Sequence, residues 1–205
     1  YEMLRGSLSR LMDVENFYIA FYDEHTDRFS AIFEKDEKDR IPEWPANKSI
    51  TGQVVKQQKS LLLKKTDILK LAESGEIELI GTISEVWLGA PLRVGGKIAG
   101  AIVVQDYDNP RTYDQTDLNL LELVASELSI YIERKQAEDT LRENEQFLSA
   151  VFRSIQDGVS VLNPDMTIRY TNDVMKKWYA ANLPLEGKKC YEVYHNSDTF
   201  CDPCP

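Results

Sequence analysis

The chain has 205 residues, 42% hydrophobic and 28% charged, the balance of a folded protein with room for one large domain or two small ones. Asp and Glu number 34 against 24 Lys and Arg, a net charge of -10, so nothing favours nucleic-acid phosphates or anionic lipid as a direct partner. The longest apolar runs, such as Ala99 to Gln105, fall short of the roughly 20 residues that cross a bilayer, and no direct membrane insertion is expected. The first residue is Tyr1 and the last is Pro205, just after a Cys pair, which suggests a segment of a longer protein. All three Cys fall between positions 190 and 204, unlike a disulfide-stapled secreted scaffold, so a reducing, cytoplasmic setting is expected.

Residues 7 to 12 read as the end of an amphipathic helix, and Phe17 to Asp23 alternates like a strand. Asp23 to Asp27 is a polar turn, and Phe29 to Glu34 returns antiparallel to the first strand. The charged stretch 34 to 48, with Pro42 and Pro45, reads as an exposed loop from which Trp44 folds inward as a lid or plug. Ser49 suits the cap of a helix that starts near Thr51 and turns Val54 and Val55 inward. A buried strand follows from Ser60 to Lys64, then a short helix from Asp67 to Ser74 that Gly75 closes.

Trp87 to Val94, the turn Gly95-Gly96-Lys97 and Ile98 to Gln105 give the clearest hairpin, expected at the centre of the sheet. From Asp114 the apolar residues Leu118, Leu121, Leu128 and Ile132 recur at helical spacing, and neither Gly nor Pro interrupts the chain before Gln156. The part of this helix from Glu133 to Gln146 keeps only Ala137 and Leu141 as apolar contacts, enough for a two-helix seam, so a parallel homodimer is expected through residues 117–156. Asp157-Gly158 breaks the helix. Val159 to Leu162 and Thr167 to Thr171 then read as a strand pair, and Asn172 caps a helix to about Ala181.

The segments Ser-Ile-Thr-Gly-Gln-Val-Val (49–55), Trp-Leu-Gly-Ala-Pro-Leu-Arg-Val-Gly-Gly-Lys-Ile-Ala-Gly-Ala-Ile-Val-Val-Gln (87–105) and Tyr-Asp-Gln-Thr-Asp-Leu-Asn-Leu-Leu (113–121), in this order, resemble the GAF family over residues 1–134. The resemblance implies an α+β fold: a six-stranded antiparallel sheet, the terminal helices packed on one face and a small-molecule pocket on the other. Residues 145–205, with Phe147 to Asp157, Gly158 and the paired strands, look like the N-terminal part of a PAS domain whose last three strands are missing. GAF, helix and PAS in that order resemble the sensory region of bacterial sensor histidine kinases. Diguanylate cyclases and enhancer-type transcription regulators borrow the same pair. No phospho-acceptor His motif or ATP-binding box is recognisable, so this segment is expected to be non-catalytic.

Cyclic-nucleotide-binding GAF domains carry an Asn-Lys pair and a later acidic motif, and Asn47-Lys48 and Tyr113 to Leu118 match them in part. From this likeness Lys48 and Asp117 are expected to form an ion pair that pins the pocket loop to the last helix. Covalent bilin attachment lacks a Cys before Cys190, and haem lacks a His near a pocket strand. His25 reads as a solvated turn residue. The sulfoxide reductases of the family use Cys in the GAF body, where this chain has none. What remains is a pocket for a small organic ligand lined by Tyr22, Phe33, Trp44, Ile50 and Trp87, with a purely structural core as the alternative.

Cys201-Asp-Pro-Cys204, with Cys190 and His195, has the spacing of a tetrahedral Zn or iron-sulfur site, or of a redox disulfide. The expected function is ligand sensing at the GAF pocket, relayed through the long helix. The alternatives are a structural dimerisation scaffold and metal or redox sensing at the PAS cysteines.

Overall fold

The structure, a computed structural model, describes residues 2–202. The chain divides into two compact units, and the division falls inside the longest helix, between Gln136 and Ala137. The first unit contains α1 (Glu2–Leu8), β1 (Asn16–Asp23), β2 (Arg28–Lys35), β3 (Glu43–Pro45), α2 (Ile50–Gln57), β4 (Leu61–Lys64), α3 (Lys65–Glu73), β5 (Val86–Val94), β6 (Lys97–Asp106) and the start of α4 (Gln115–Ser154). All six strands pair antiparallel in the order β3-β2-β1-β6-β5-β4. β1 and β6 are therefore the central pair, and the β5–β6 hairpin reaches one strand outward from them. Gly95 and Gly96 both have positive φ (59° and 76°), the geometry that a two-residue turn between right-twisted strands requires.

Strand alternation separates two cores. Phe17, Ile19, Leu88, Leu92, Ile102 and Val104 face α1 and α4, where Leu8, Leu118, Leu121, Ala125, Leu128 and Ile132 meet them at the helical spacing read from sequence. Tyr18, Trp87, Ala101 and Val103 face the other way, toward Val54 of α2 and Ile68 of α3. Ser129 joins α4 to the sheet by accepting the Arg93 N–H (2.8 Å), and the Glu133 carboxylate accepts the Gly95 N–H (2.6 Å).

Three local expectations need correction. α1 ends at Leu8 and a turn carries residues 9 to 12. The stretch 34 to 48 is not all loop: Glu43–Pro45 forms an edge strand on β2, with Trp44 buried between two prolines that suit an unpaired edge. On α2, Val54 is buried while Val55 is only half-buried, because Thr51, Gly52 and Gln53 take the inner positions.

The second unit holds the rest of α4, a two-stranded sheet of β7 (Ser160–Leu162) and β8 (Ile168–Thr171), α5 (Asp173–Trp178), a 3-10 turn (Ala180–Asn182) and α6 (Cys190–His195). Its core is small: Ile168, Met175, Leu185, Cys190 and Val193. Buried Asn172 knots the hairpin to α5. Its side-chain oxygen accepts the N–H groups of Val159 (3.0 Å) and Met175 (3.1 Å), and its amide donates to the Asp157 carbonyl (2.8 Å). Among the described residues no helix is long and apolar enough to cross a membrane.

Leu121, fully buried between α4 and the sheet, tests the packing of the first unit. Leu121→Ala is expected to lower the unfolding free energy by about 2–5 kcal/mol, read in urea as a lower midpoint at constant slope. A loss under about 0.5 kcal/mol, the ordinary effect of a surface substitution, contradicts this packing.

Candidate functional site

Cross-strand pairing lays out a cavity on the face opposite α1 and α4. Tyr18 of β1 pairs with Glu34 of β2, and Trp87 of β5 pairs with Gln105 of β6. These four side chains line the cavity, and Trp44, Ile50, Thr51 and Ser84 complete much of its wall. Its free volume is about 80 Å³, in a measure where one ordered water takes roughly 10–15 Å³, which suits a small ligand.

The roof is the first turn of α2. The Ser49 hydroxyl accepts the Gly52 N–H (3.0 Å) and donates to the Ala46 carbonyl (3.1 Å), fixing where the helix begins. Gly52 is obligatory here, because a Cβ at that position would lie 1.8 Å from the Ala46 carbonyl oxygen. The Tyr18 and Thr51 hydroxyls hydrogen-bond at 2.9 Å and join floor to roof. Trp44 stacks on Phe29 (centroids 5.6 Å) and meets Tyr18 edge-on (5.7 Å).

The rim is acidic. Asp36 accepts hydrogen bonds from Gln105 Nε2 (2.8 Å), the Tyr107 hydroxyl (2.9 Å) and the N–H groups of Lys38 and Asp39. Asp39 accepts from the Thr82 N–H (2.6 Å) and hydroxyl (3.2 Å), tying the β2–β3 connection to the segment before β5. Lys38 sits 4.5 Å from the centre of the Tyr107 ring and pairs with Asp108. Burial pushes the Tyr18 phenol up to about 12, only partly offset by its hydrogen bond to Thr51. Burial, then the Asp36 hydrogen bond and charge, raises Tyr107, and burial raises Tyr113. All three are neutral at physiological pH, and Tyr107 and Tyr113 act as donors.

Of the five aromatic and aliphatic residues expected in the pocket, Trp44, Ile50 and Trp87 line it. Tyr22 does not: it packs on Phe29 (5.4 Å) and donates to Asp27 (3.1 Å). Phe33 lies on the opposite face, edge-on to Phe17 (5.7 Å). The cause is a β-bulge, since the β1–β2 register slips between Ile19 and Ala20 and leaves Ile32 without an opposite number. Unbulged pairing puts Phe33 opposite Tyr18; the slip puts Glu34 there instead.

The expected Lys48–Asp117 ion pair is not formed. Lys48 precedes α2 on the cavity side and pairs with Glu78 (3.0 Å), whereas Asp117 lies in the first turn of α4 on the other side of the sheet and accepts the Asp114 N–H (2.9 Å). Residues that motif reading passed over, namely Tyr18, Glu34, Asp36, Asp39, Ser84, Gln105 and Tyr107, supply the polar groups of the cavity and rim. The alternation of β1, which sends Tyr18 to the face opposite Phe17 and Ile19, was the one signal that could have found Tyr18.

In the second unit Cys190 is buried in the core at the start of α6, while His195, the last residue of α6, is exposed and Cys201 half-exposed. Cys204 lies outside the described residues. Among the described residues no group of three or more His, Cys, Asp and Glu side chains is arranged to hold a metal ion. His25 is exposed, in the β1–β2 turn.

A raised phenol pKa means the fold favours the neutral form. That contribution is intact below pH 10, the unperturbed value, and is lost as pH climbs past it toward 12. In an alkaline absorbance titration, Tyr18, Tyr107 and Tyr113 are therefore expected to ionise only as the first unit unfolds. Ten tyrosines titrating together near pH 10 with the fold intact contradict this burial.

A protein-family model described as the GAF domain matches residues 2–133. Solved structures similar to the chain include the GAF domain of a phosphoenolpyruvate-protein phosphotransferase from Coxiella burnetii (12% identity, TM-score 0.54, covering 68% of this chain and 85% of that one). Another is residues 122 to 287 of a methyl-accepting chemotaxis protein (16% identity, TM-score 0.52, 64% and 85%). A third is the GAF domain of the Acinetobacter phosphoenolpyruvate-protein phosphotransferase (17% identity, TM-score 0.51, 67% and 82%). At these identities the likeness is one of fold. No curated protein matches the chain. With nearly the whole first unit inside the family match, and the six-stranded sheet that the resemblance implies, the chain belongs to the GAF domain family.

Proposed function

We propose that this chain is the sensory and relay region of a signalling protein, in which a small ligand fills the cavity over the sheet and its binding is passed to α4. The observation that carries the reading is the hydroxyl of Ser84. The residue is 2% exposed and lines the cavity, yet its hydroxyl has no hydrogen-bond partner among the described residues. That hydroxyl opens on the cavity, where a polar ligand can form with it a hydrogen bond worth about 0.5–1.5 kcal/mol. The two tryptophans beside it supply apolar area for the rest of such a ligand.

The route outward follows the end of β6. Gln105 and Tyr107 hold the acidic rim, while Asp106 between them accepts the N–H groups of Asp108 and Asn109 (both 2.8 Å) and the Thr112 hydroxyl (2.6 Å). Tyr113 then donates to the Asp13 carbonyl (3.1 Å) and α4 begins at Gln115. A shift of the rim therefore reaches the helix through one short hydrogen-bonded turn.

Along α4, exposed Leu123, Ile130, Leu141 and Leu148 (60%, 58%, 61% and 54%) keep to positions seven apart within each pair, and Ala137 extends the first. This is the pattern of a two-helix seam, and the reading is a parallel homodimer whose register the ligand biases. The order β7, β8, α5, α6 after the helix supports a PAS-like opening for the second unit, and the domain order favours a sensor histidine kinase as the parent protein. A scaffold that only dimerises is the second reading, favoured by the same seam but not by the unpaired Ser84.

Sedimentation of the full chain is expected to show a dimer that Leu141→Glu converts to monomer without changing the unfolding midpoint of the first unit. A monomeric parent chain, or a dimer indifferent to the substitution, removes the helical seam from this account.

A further inference from the structure

Three of the four carboxylates that line the cavity carry uncompensated charge. Glu78 is paired with Lys48. Glu34, Asp36 and Asp39 have no ion pair among the described residues, although Lys35, Lys38 and Arg40 lie close in sequence. Asp36 and Asp39 are held by neutral donors, and the single Tyr107 proton serves only one of them at a time. Glu34 accepts one N–H, from Ile41 (3.1 Å). Among the described residues no Lys, Arg or His lines the cavity. An anionic ligand such as a nucleotide phosphate would meet like charge with no counter-ion.

The acidic wall does not stand alone. Ser84, 2% exposed as a residue, opens a hydroxyl without a partner among the described residues onto the cavity, and Trp44 and Trp87 (8% and 2% exposed) supply aromatic surface. Aromatic rings beside carboxylates attract a cation twice over, through the ring quadrupole and through direct charge. A bare metal ion fits poorly, since among the described residues no three carboxylate, Cys or His groups converge to hold one.

We propose that the cavity selects a small organic cation, an ammonium or guanidinium compound. Its charge is held by Glu34 and the Asp36–Asp39 rim, a donor hydrogen reaches Ser84 Oγ, and its carbon skeleton lies against Trp44 and Trp87. This deepens the ligand-sensing reading and rests on it. The β-bulge at Ile32 makes the selection possible, because it exchanges the phenyl ring of Phe33 for the Glu34 carboxylate at the cavity floor.

The test is calorimetric titration of the full chain at low salt with choline and agmatine as probes, against the neutral carbon isostere of choline and against cyclic AMP. One of the two cations is expected to bind saturably at one per chain, with the isostere at least tenfold weaker. Glu34→Gln is expected to weaken that binding roughly tenfold to a hundredfold, the range of a hydrogen bond to a charged group. Ser84→Ala is expected to weaken it less. Thermal unfolding of each variant checks that the fold is kept, and Glu34→Asp separates charge from shape by retaining part of the affinity. Equal binding of choline and its isostere, no effect of Glu34→Gln in a folded variant, or no binding of either cation overturns the inference. If only the isostere or cyclic AMP binds, the charge class falls while ligand sensing stands.

Discussion

β1 is hydrogen-bonded on both sides, to β2 and to β6, and its alternation decides which chemistry each face of the sheet receives. Phe17 and Ile19 go to the helices; Tyr18 goes to the cavity, and Ala20, on the same face, packs with Phe29 and Trp44 beside it. Everything functional in the first unit inherits that parity. On the β6 side the pairing runs without interruption, so Ile102 and Val104 join the helix-facing core and Ala101 and Val103 the other. On the β2 side one extra residue reverses the parity beyond Ile32 and brings a carboxylate over Tyr18. A one-residue slip exchanges the two faces of a strand, and here the exchange changes the chemical character of the cavity floor.

The elements themselves were largely legible. Local rules place the Gly95-Gly96 hairpin, the Ser49 cap, the period of Leu118, Leu121, Leu128 and Ile132, and the Asn172 cap, because each is decided within a few residues of itself. The site was legible only in part. Trp44, Ile50 and Trp87 could be placed because large apolar side chains next to turns and caps have few places to go. Phe33 could not, since a bulge in the middle of an apolar run leaves no mark on composition. The 43–45 edge strand was hidden by its prolines, which read as loop although they are compatible with an edge. Lys48 was misassigned because a motif pair carries no information about which side of the sheet each member occupies. The polar groups of the cavity come from five separate segments, and only folding brings them together.

The same arrangement explains how the cavity is linked to the long helix without direct contact. The sheet between them is two-sided, so β6 presents Gln105 to the rim while its neighbour Val104 packs in the helix-facing core. Its last residue Asp106 binds the turn into α4, and Tyr107, the next residue, binds the acidic network. Ligand binding at the rim and the setting of α4 thus share one rigid strand end. Such a path is a physical connection, and it becomes a signalling path only if the two ends have coupled states.

Native mass spectrometry of the full chain, purified without added ligand, bears most directly on the claim that this cavity is a sensor site. The account expects a dimer that retains a small added mass, and expects Ser84→Leu, whose side chain fills the cavity, to lose that mass while remaining dimeric. Bare chains, or an added mass that survives the Ser84→Leu substitution, contradict it.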